Sequence, residues 1–396
     1  MLEKHKIQIL PYLIIWYEIA IYLSNDMYLP SMPAIAKDLS FTDVQTQYTL
    51  IFWFLGASTL QIILGPLSDR FGRRIILLLG AIAFVIASAA CAIADSLFLL
   101  LLARFVQGTS LCSLVAANAA IHELYSTKQA IKYLALIGAV TILAPALGPM
   151  FGAVIVQFAT WRDIFWFLLF MGVVSLFSII LFMPESNKQQ HPLHLQKFFN
   201  DYKKLLINRN FIIPNLAYCF LVAMYFVWIF KAPFLMIQVF ETTPLYYGLS
   251  QTVIFSFYFV GAAATKWLLD RYSVKKLILF SVVITIAGAI LFIASSILYN
   301  NLELAIICMV IISFGTSMLY GPINRIAIES ATAQPMGSRT AIFSTLVSLF
   351  GVLIGYILTI VESNTLGQIS ILCTVCIAIA ILLIAIMNIP QFQDND

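Results

Sequence analysis

Two carboxylates stand in the first long apolar run of this chain: Glu18 and Asp26, in Y-E-I-A-I-Y-L-S-N-D-M-Y-L-P-S-M-P, residues 17–33. An ionisable group at bilayer depth costs about 2.5–3.5 kcal/mol on insertion scales, so a tolerated one faces a polar cavity or a partner rather than lipid. On a helix, eight residues set the two acids about 12 Å apart along the axis and about 80° apart around it, so both can line one cavity at different depths. The chemistry open to such a pair is reversible protonation in competition with a ligand. A simpler reading puts either acid in water at a membrane edge. Pro30 and Pro33, which bring the helix toward its end, keep that reading open for Asp26.

Two cations share the apolar setting. Arg104, in L-L-A-R-F-V-Q-G (residues 101–108), lies seven residues into its run. It needs an acid, a carbonyl or water, and the first span supplies acids; snorkelling to the near surface is the alternative. Lys231, in W-I-F-K-A-P (residues 228–233), has two readings. Facing a cavity, it would neutralise an acid or draw an anionic substrate; near the end of its run, before Pro233, it would snorkel. Tyr225 and Trp228 on the same run are candidate cavity-lining aromatics, although interface belts also employ such residues. His122 and Glu123 close the fourth run, where an interfacial polar pair is the ordinary expectation.

The elements that must position these residues follow from composition. The chain has 396 residues, 62% hydrophobic and 10% charged, with mean hydropathy +0.97; soluble globular proteins carry about 25% charged residues. Apolar runs of about 20 residues match the length of a membrane-crossing helix, and the alternation of barrel strands is missing. The first run is too long for the h-region of a signal peptide, holds two acids and has no small-residue cleavage motif after it. Runs fall at about 8–30, 45–67, 75–94, 97–121, 131–157 and 163–183, then about 211–240, 248–269, 277–298, 302–325, 338–361 and 367–389. The expected fold class is therefore an all-α membrane protein of twelve transmembrane helices, six and six. Residues 1–183 and 210–396 form the two bundles, and 184–209 forms a cytoplasmic linker with a short amphipathic, interfacial helix. With the N-terminus inside, one side receives Lys4, Lys6, Arg70, Arg73, Arg74, Lys128, Lys132, the basic residues of the linker, Arg271, Lys275, Lys276 and Arg339. The other receives Lys37 and Arg162, so both termini are expected in the cytoplasm. The six cysteines all fall in apolar runs and read as packing residues, with no metal-ligand set among them.

The halves share a basic loop: L-S-D-R-F-G-R-R-I (residues 67–75) after the second run and L-D-R-Y-S-V-K-K-L (residues 269–277) after the eighth. A six-span unit used twice implies a pseudo-two-fold axis along the membrane normal. The first copy, G-P-L-S-D-R-F-G-R-R from Gly65 through Asp69, Arg70 and Gly72 to Arg73 and Arg74, resembles the signature loop of the major facilitator superfamily. Its glycines allow a tight turn and close approach, and its charges can cap a helix or pair across the loop. The Arg104 stretch resembles a second motif of that superfamily. A-P-A-L-G-P-M-F-G (residues 144–152) resembles the antiporter motif, with Ala144 where glycine is common, leaving close packing and kinking to Gly148, Pro149 and Gly152.

Together with Y-E-x7-D-M in the first run and D-Y-K-x2-L in the linker, these motifs resemble the MdfA-like bacterial multidrug/proton antiporters, a twelve-span branch of the superfamily. The resemblance covers nearly the whole chain and is strongest in the first half. It implies two pseudo-symmetric six-helix bundles and alternating access. It further implies efflux of lipophilic cationic or neutral compounds against protons across the bacterial inner membrane, with antibiotic resistance as the outcome. On this resemblance Glu18 and Asp26 are the proton and substrate carboxylates, Tyr22 and Asn25 line the cavity, Arg104 is the fourth-span arginine, and Asp69 is a conformational clamp. Lys231 departs from the pattern, standing where an uncharged polar residue is usual.

The expected partners are protons, a small-molecule substrate and the lipid bilayer, with no nucleic acid, no cofactor and no metal, and the chain is expected to act as a monomer. A nucleotide-binding G-x-x-x-x-G-K-[ST] loop is missing, which leaves an ion gradient as the energy source. A second reading keeps the fold and takes an anionic metabolite, such as a carboxylate siderophore, on Arg104 and Lys231. A third, a membrane enzyme or non-transporting receptor, finds no nucleophile, acid/base pair or metal cluster to support it.

Overall fold

The computed structural model describes residues 2–187, 195–331, 333–361 and 365–387, apart from the side chains of 2–8, 139–142 and 195–199. Residues 188–194 of the expected linker lie outside the described residues. Every described segment of regular structure is helical, as an apolar chain requires when its backbone groups must pair within the segment. Two compact units emerge. One is Met1–Leu195 with Thr243–Leu249, and the other is Gln196–Thr242 with Ser250–Asp396.

In the first unit, α1 (Leu2–Asp26) is followed by a 3-10 turn (Leu29–Ser31) and the short α2 (Met32–Asp38). Then come α3 (Asp43–Thr59), α4 (Gln61–Phe71), α5 (Arg73–Ala92), α6 (Leu97–Thr109) and α7 (Leu114–Leu124). The long α8 (Thr127–Phe158) and α9 (Trp161–Phe182) complete it. α10 (Leu195–Ile207) is the helix expected in the linker. The second unit holds α11 (Arg209–Phe234), most of α12 (Pro244–Leu269), α13 (Val274–Ala294), α14 (Leu302–Glu329), α15 (Met336–Ile360) and α16 (Leu366–Ile386).

Among the described residues nine helices are long and apolar enough to cross a membrane, or eleven if each of two bent pairs counts as one span. The pairs are α3 with α4, bent by 44°, and the two parts of α8, Thr127–Gly138 and Leu143–Phe158, bent by 43°. Pro145, inside α8, cannot donate to the carbonyl four residues back and its ring crowds it, which accounts for the second bend. The remaining expected run is α1, which carries the two acids.

Glycines set the spacing between α3 and α6. A Cβ on Gly56 of α3 would lie 2.0 Å from the Phe105 carbonyl oxygen, and one on Gly108 of α6 would lie 2.0 Å from that of Trp53. The two backbones therefore touch, and Arg104, one turn from Gly108, comes within reach of the α3 backbone. α1 packs on α8 and α9, and α5 on α6 and α9. At the far end of this unit Arg162 is tied to Asp38 at 2.5 Å, and Trp161 Nε1 donates to the same carboxylate at 3.0 Å. In the second unit α11 is central, packed on α14, α15 and α16. All six cysteines are buried free thiols.

Candidate functional site

Pro30 has no N–H to offer the carbonyl of Asp26 four residues earlier, so α1 ends at Asp26. A helix end leaves carbonyls without intrahelical partners and carries the negative end of the helix dipole. Arg104 occupies that end. Its Nη1 donates to the Ser24 carbonyl at 2.7 Å and to Gln107 Oε1 at 2.6 Å, and its Nε donates to the Thr49 carbonyl at 3.4 Å. The guanidinium carbon lies 4.2 Å from the centroid of the Tyr28 ring, a cation–π distance. Further bonds fix this cradle. Gln107 Nε2 donates to Ser88 Oγ at 2.9 Å, Trp53 Nε1 to Ser24 Oγ at 3.2 Å, and the Tyr28 and Thr49 hydroxyls lie 3.1 Å apart.

Arg104 is fully buried, which leaves snorkelling aside, and among the described residues no carboxylate lies within 4.0 Å of it. Of the partners open to it, the carbonyls are taken. Asp26 is 4% exposed, accepts a bond from Asn25 Nδ2 at 2.9 Å, and feels the Arg104 charge without bonding to it. Two buried polar atoms here, Arg104 Nη2 and Asn25 Oδ1, make no hydrogen bond to the described residues. Tyr22 is half-buried one turn before Asp26. Glu18 is buried two turns back, and no described residue pairs with it.

α8 closes on this turn through the expected glycines. A Cβ on Gly148 would lie 2.8 Å from the Asp26 Cβ, and one on Gly152 would lie 1.6 Å from the Met27 carbonyl oxygen. Pro149 stands between them inside the helix. The arrangement holds a buried acid beside a buried cation that is already satisfied by neutral acceptors. Such an acid can gain or lose a proton without breaking the bonds that hold the cation.

The signature loop is a second polar centre. Arg73 pairs with Asp69 at 2.6 Å and with Glu123 at 2.9 Å, and its Nη1 donates to Ser68 Oγ. Glu185 accepts from the backbone N–H groups of Arg73 (2.8 Å) and Arg74 (3.2 Å), capping the start of α5. Ser186 Oγ donates to Glu123 Oε2 at 2.6 Å, and Asn187 Nδ2 to the Asp69 carbonyl at 2.6 Å. Arg70 is exposed, its guanidinium 5.3 Å from the Phe71 ring.

The loop's two glycines differ. Gly72 has φ +101° and ψ 152°, and a Cβ there would stand 2.2 Å from Glu185 Oε2; at Gly65 the nearest atom would be Val115 Cγ1, 3.9 Å away. Close approach therefore belongs to Gly72 and not to Gly65. Gly72→Ala is expected to cost about 1–3 kcal/mol in backbone strain and to displace Glu185, whereas Gly65→Ala is expected to be near neutral. Thermal unfolding of the purified variants checks this, and equal midpoints would refute it.

In the second unit Lys231 is 4% exposed in the last turn of α11, ahead of a π-helical turn at Leu235–Val239. It is buried rather than extended into solvent. Trp228 is fully buried, donating to Gln251 Oε1 at 3.0 Å and packing on Phe292. The Tyr225 hydroxyl bonds Thr316 Oγ1 at 2.6 Å and Ser313 Oγ at 3.2 Å.

Sequence reasoning read Glu123 only as an interfacial residue and missed its partners, and it missed Glu185, Ser186 and Asn187; these contacts join residues 50 to 118 apart in the chain. It also missed Ser24, Tyr28 and Thr49 as the Arg104 cradle. Gln107 was legible, since it stands three residues after Arg104 on one helix face.

The family model described as Major Facilitator Superfamily matches residues 16–356. The chain is 28% identical over 342 residues to the chloramphenicol resistance protein CraA of Acinetobacter baumannii, covering 86% of this chain and 83% of that protein. It is 31% identical over 293 residues to the multidrug transporter MdfA of Yersinia pestis, covering 74% and 71%. Its fold is like that of the xylose transporter XylE from E. coli, with a TM-score of 0.73 at 13% identity, covering 99% of this chain and 100% of that one.

Proposed function

Because the chain belongs to the Major Facilitator Superfamily, we propose that it is a proton-coupled antiporter that exports small amphipathic compounds by alternating access. Among its relatives are a chloramphenicol resistance protein, a multidrug transporter and a multidrug resistance protein, and the reading extends their cargo class to this chain. Asp26 carries the coupling, Glu18 assists, and Arg104 supplies the fixed charge. The observation on which this rests is the Arg104 cradle, in which a fully buried cation takes Ser24, Thr49 and Gln107 as acceptors and leaves Asp26 with the single Asn25 bond. A proton and a cargo can then exchange on the carboxylate while the cation stays fixed. Transport without chemistry on the cargo follows. The protein works as a monomer in the bacterial inner membrane, and its termini lie in the cytoplasm, an orientation that the distribution of Lys and Arg among the loops supports.

A counterflow screen in proteoliposomes, over lipophilic cations, neutral drugs and polycarboxylates, tests the cargo class. Exchange of the first two is expected, and exchange of polycarboxylates alone would overturn the reading. The buried Lys231 bears on the same question. If its ammonium acts on the cargo, Lys231→Gln should raise the affinity for cations and lower it for anions. Equal affinities in a binding titration of wild type and variant would remove Lys231 from the site.

A further inference from the structure

One short stretch of α8, Gly148–Ala153, is gripped from two sides. Gly148 and Gly152 receive the Asp26 turn of α1, as described above. On another side, a Cβ on Gly248 would lie 2.9 Å from the Met150 Cα, 2.9 Å from the Pro149 carbonyl oxygen and 3.0 Å from the Ala153 Cβ. Gly248 lies in the opening turns of α12, within Thr243–Leu249, a segment of the second half of the sequence that belongs to the first unit; the helix continues as part of the second unit from Ser250.

Its neighbour Tyr247 is fully buried, and the charged or titratable groups that act on it are Asp26 and Tyr28. The groups that act on Asp26 are Asn25 from α1 and Arg104 from α6; Tyr247 from α12 feels its charge, and α8 presents Gly148. A tyrosine among apolar neighbours is most simply a packing ring. Here, however, its phenol is buried within reach of the acid's charge, and the glycine next to it rests on the same stretch of α8 that receives the Asp26 turn.

We infer that Tyr247 is a positioning residue for Asp26, whose phenol hydroxyl hydrogen-bonds the carboxyl from the first turns of α12 at one stage of the transport cycle, with Gly248 setting the approach. This rests on the reading of Asp26 as the coupling acid. It means that gain or loss of the Asp26 proton is felt in the first turns of α12.

Difference infrared spectroscopy of the full-length protein in lipid, stepped in pH, tests this. The carboxyl C=O band of protonated Asp26 is identified by its loss in Asp26→Asn. Tyr247→Phe keeps the ring and removes the hydroxyl. It is expected to move that band to higher wavenumber, since losing a donor strengthens the C=O bond, and to lower pH-driven flux by up to about tenfold, the weight of one hydrogen bond to a neutral carboxyl. Gly248→Ala, which pushes the turn off α8, is expected to move the band in the same direction. A band that stays in place in Tyr247→Phe overturns the inference, and one that moves in Tyr247→Phe but not in Gly248→Ala overturns the role of the glycine. If Asp26→Asn removes no band, the assignment of Asp26 itself fails, and that outcome is separate from both.

Discussion

Asp26→Asn is expected to abolish proton-driven transport while leaving binding of a neutral compound partly intact. Asparagine has the shape of aspartate and can still accept from Asn25 Nδ2, the one hydrogen bond the carboxylate oxygen receives. The close packing against Gly148 is preserved as well, because it involves the Asp26 Cβ. What disappears is the titratable charge beside Arg104. If proton and cargo exchange on this carboxylate, a side chain that cannot ionise binds without coupling. The measurement is flux in proteoliposomes under an imposed pH gradient, set beside counterflow at one pH. Loss of the first with survival of the second is the expected pair. Full gradient-driven flux in Asp26→Asn would overturn the assignment. Glu18→Gln makes a graded comparison. No described residue pairs with Glu18, so its loss should cost little stability and should mainly reduce transport of cationic compounds.

Arg104→Ala is expected to be the most damaging single change in the first unit. It strips the donor from two backbone carbonyls and the Gln107 amide oxygen, all in a buried setting. Each buried acceptor left unpaired costs about 1–3 kcal/mol. The variant also opens a cavity where the guanidinium lay against the Tyr28 ring. Arg104→Lys keeps the charge, but a single ammonium cannot reproduce the planar fork that reaches three acceptors on three helices, so it should recover part of the stability and little of the transport. Thermal unfolding in detergent and gradient-driven flux, measured on both variants, give the answer. A wild-type midpoint with wild-type flux in Arg104→Ala would show that the cradle carries neither fold nor function.

Much of this molecule is written in local pattern. The run lengths and the low share of charge determined a helical membrane protein, because a chain in lipid must pair its own backbone groups. The same scarcity of charge made Glu18, Asp26, Arg104 and Lys231 visible, since each is costly where it stands. Pro30 after Asp26, and the glycines at 148 and 152, could be read for their effect on backbone geometry alone. Tertiary structure decided the partners. Arg104 had acids, carbonyls and water open to it, and it takes the carbonyls of Ser24 and Thr49, 80 and 55 residues away, because the glycine contact between α3 and α6 draws it to the end of α1. Arg73 finds Glu123 and its backbone finds Glu185 at comparable separations. Gly72 rather than Gly65 is the constrained glycine because Glu185 comes to rest on it. A helical repeat specifies neighbours three and four residues apart; which distant donor meets which acceptor depends on how closely two helices approach, and that is settled only when their side chains pack.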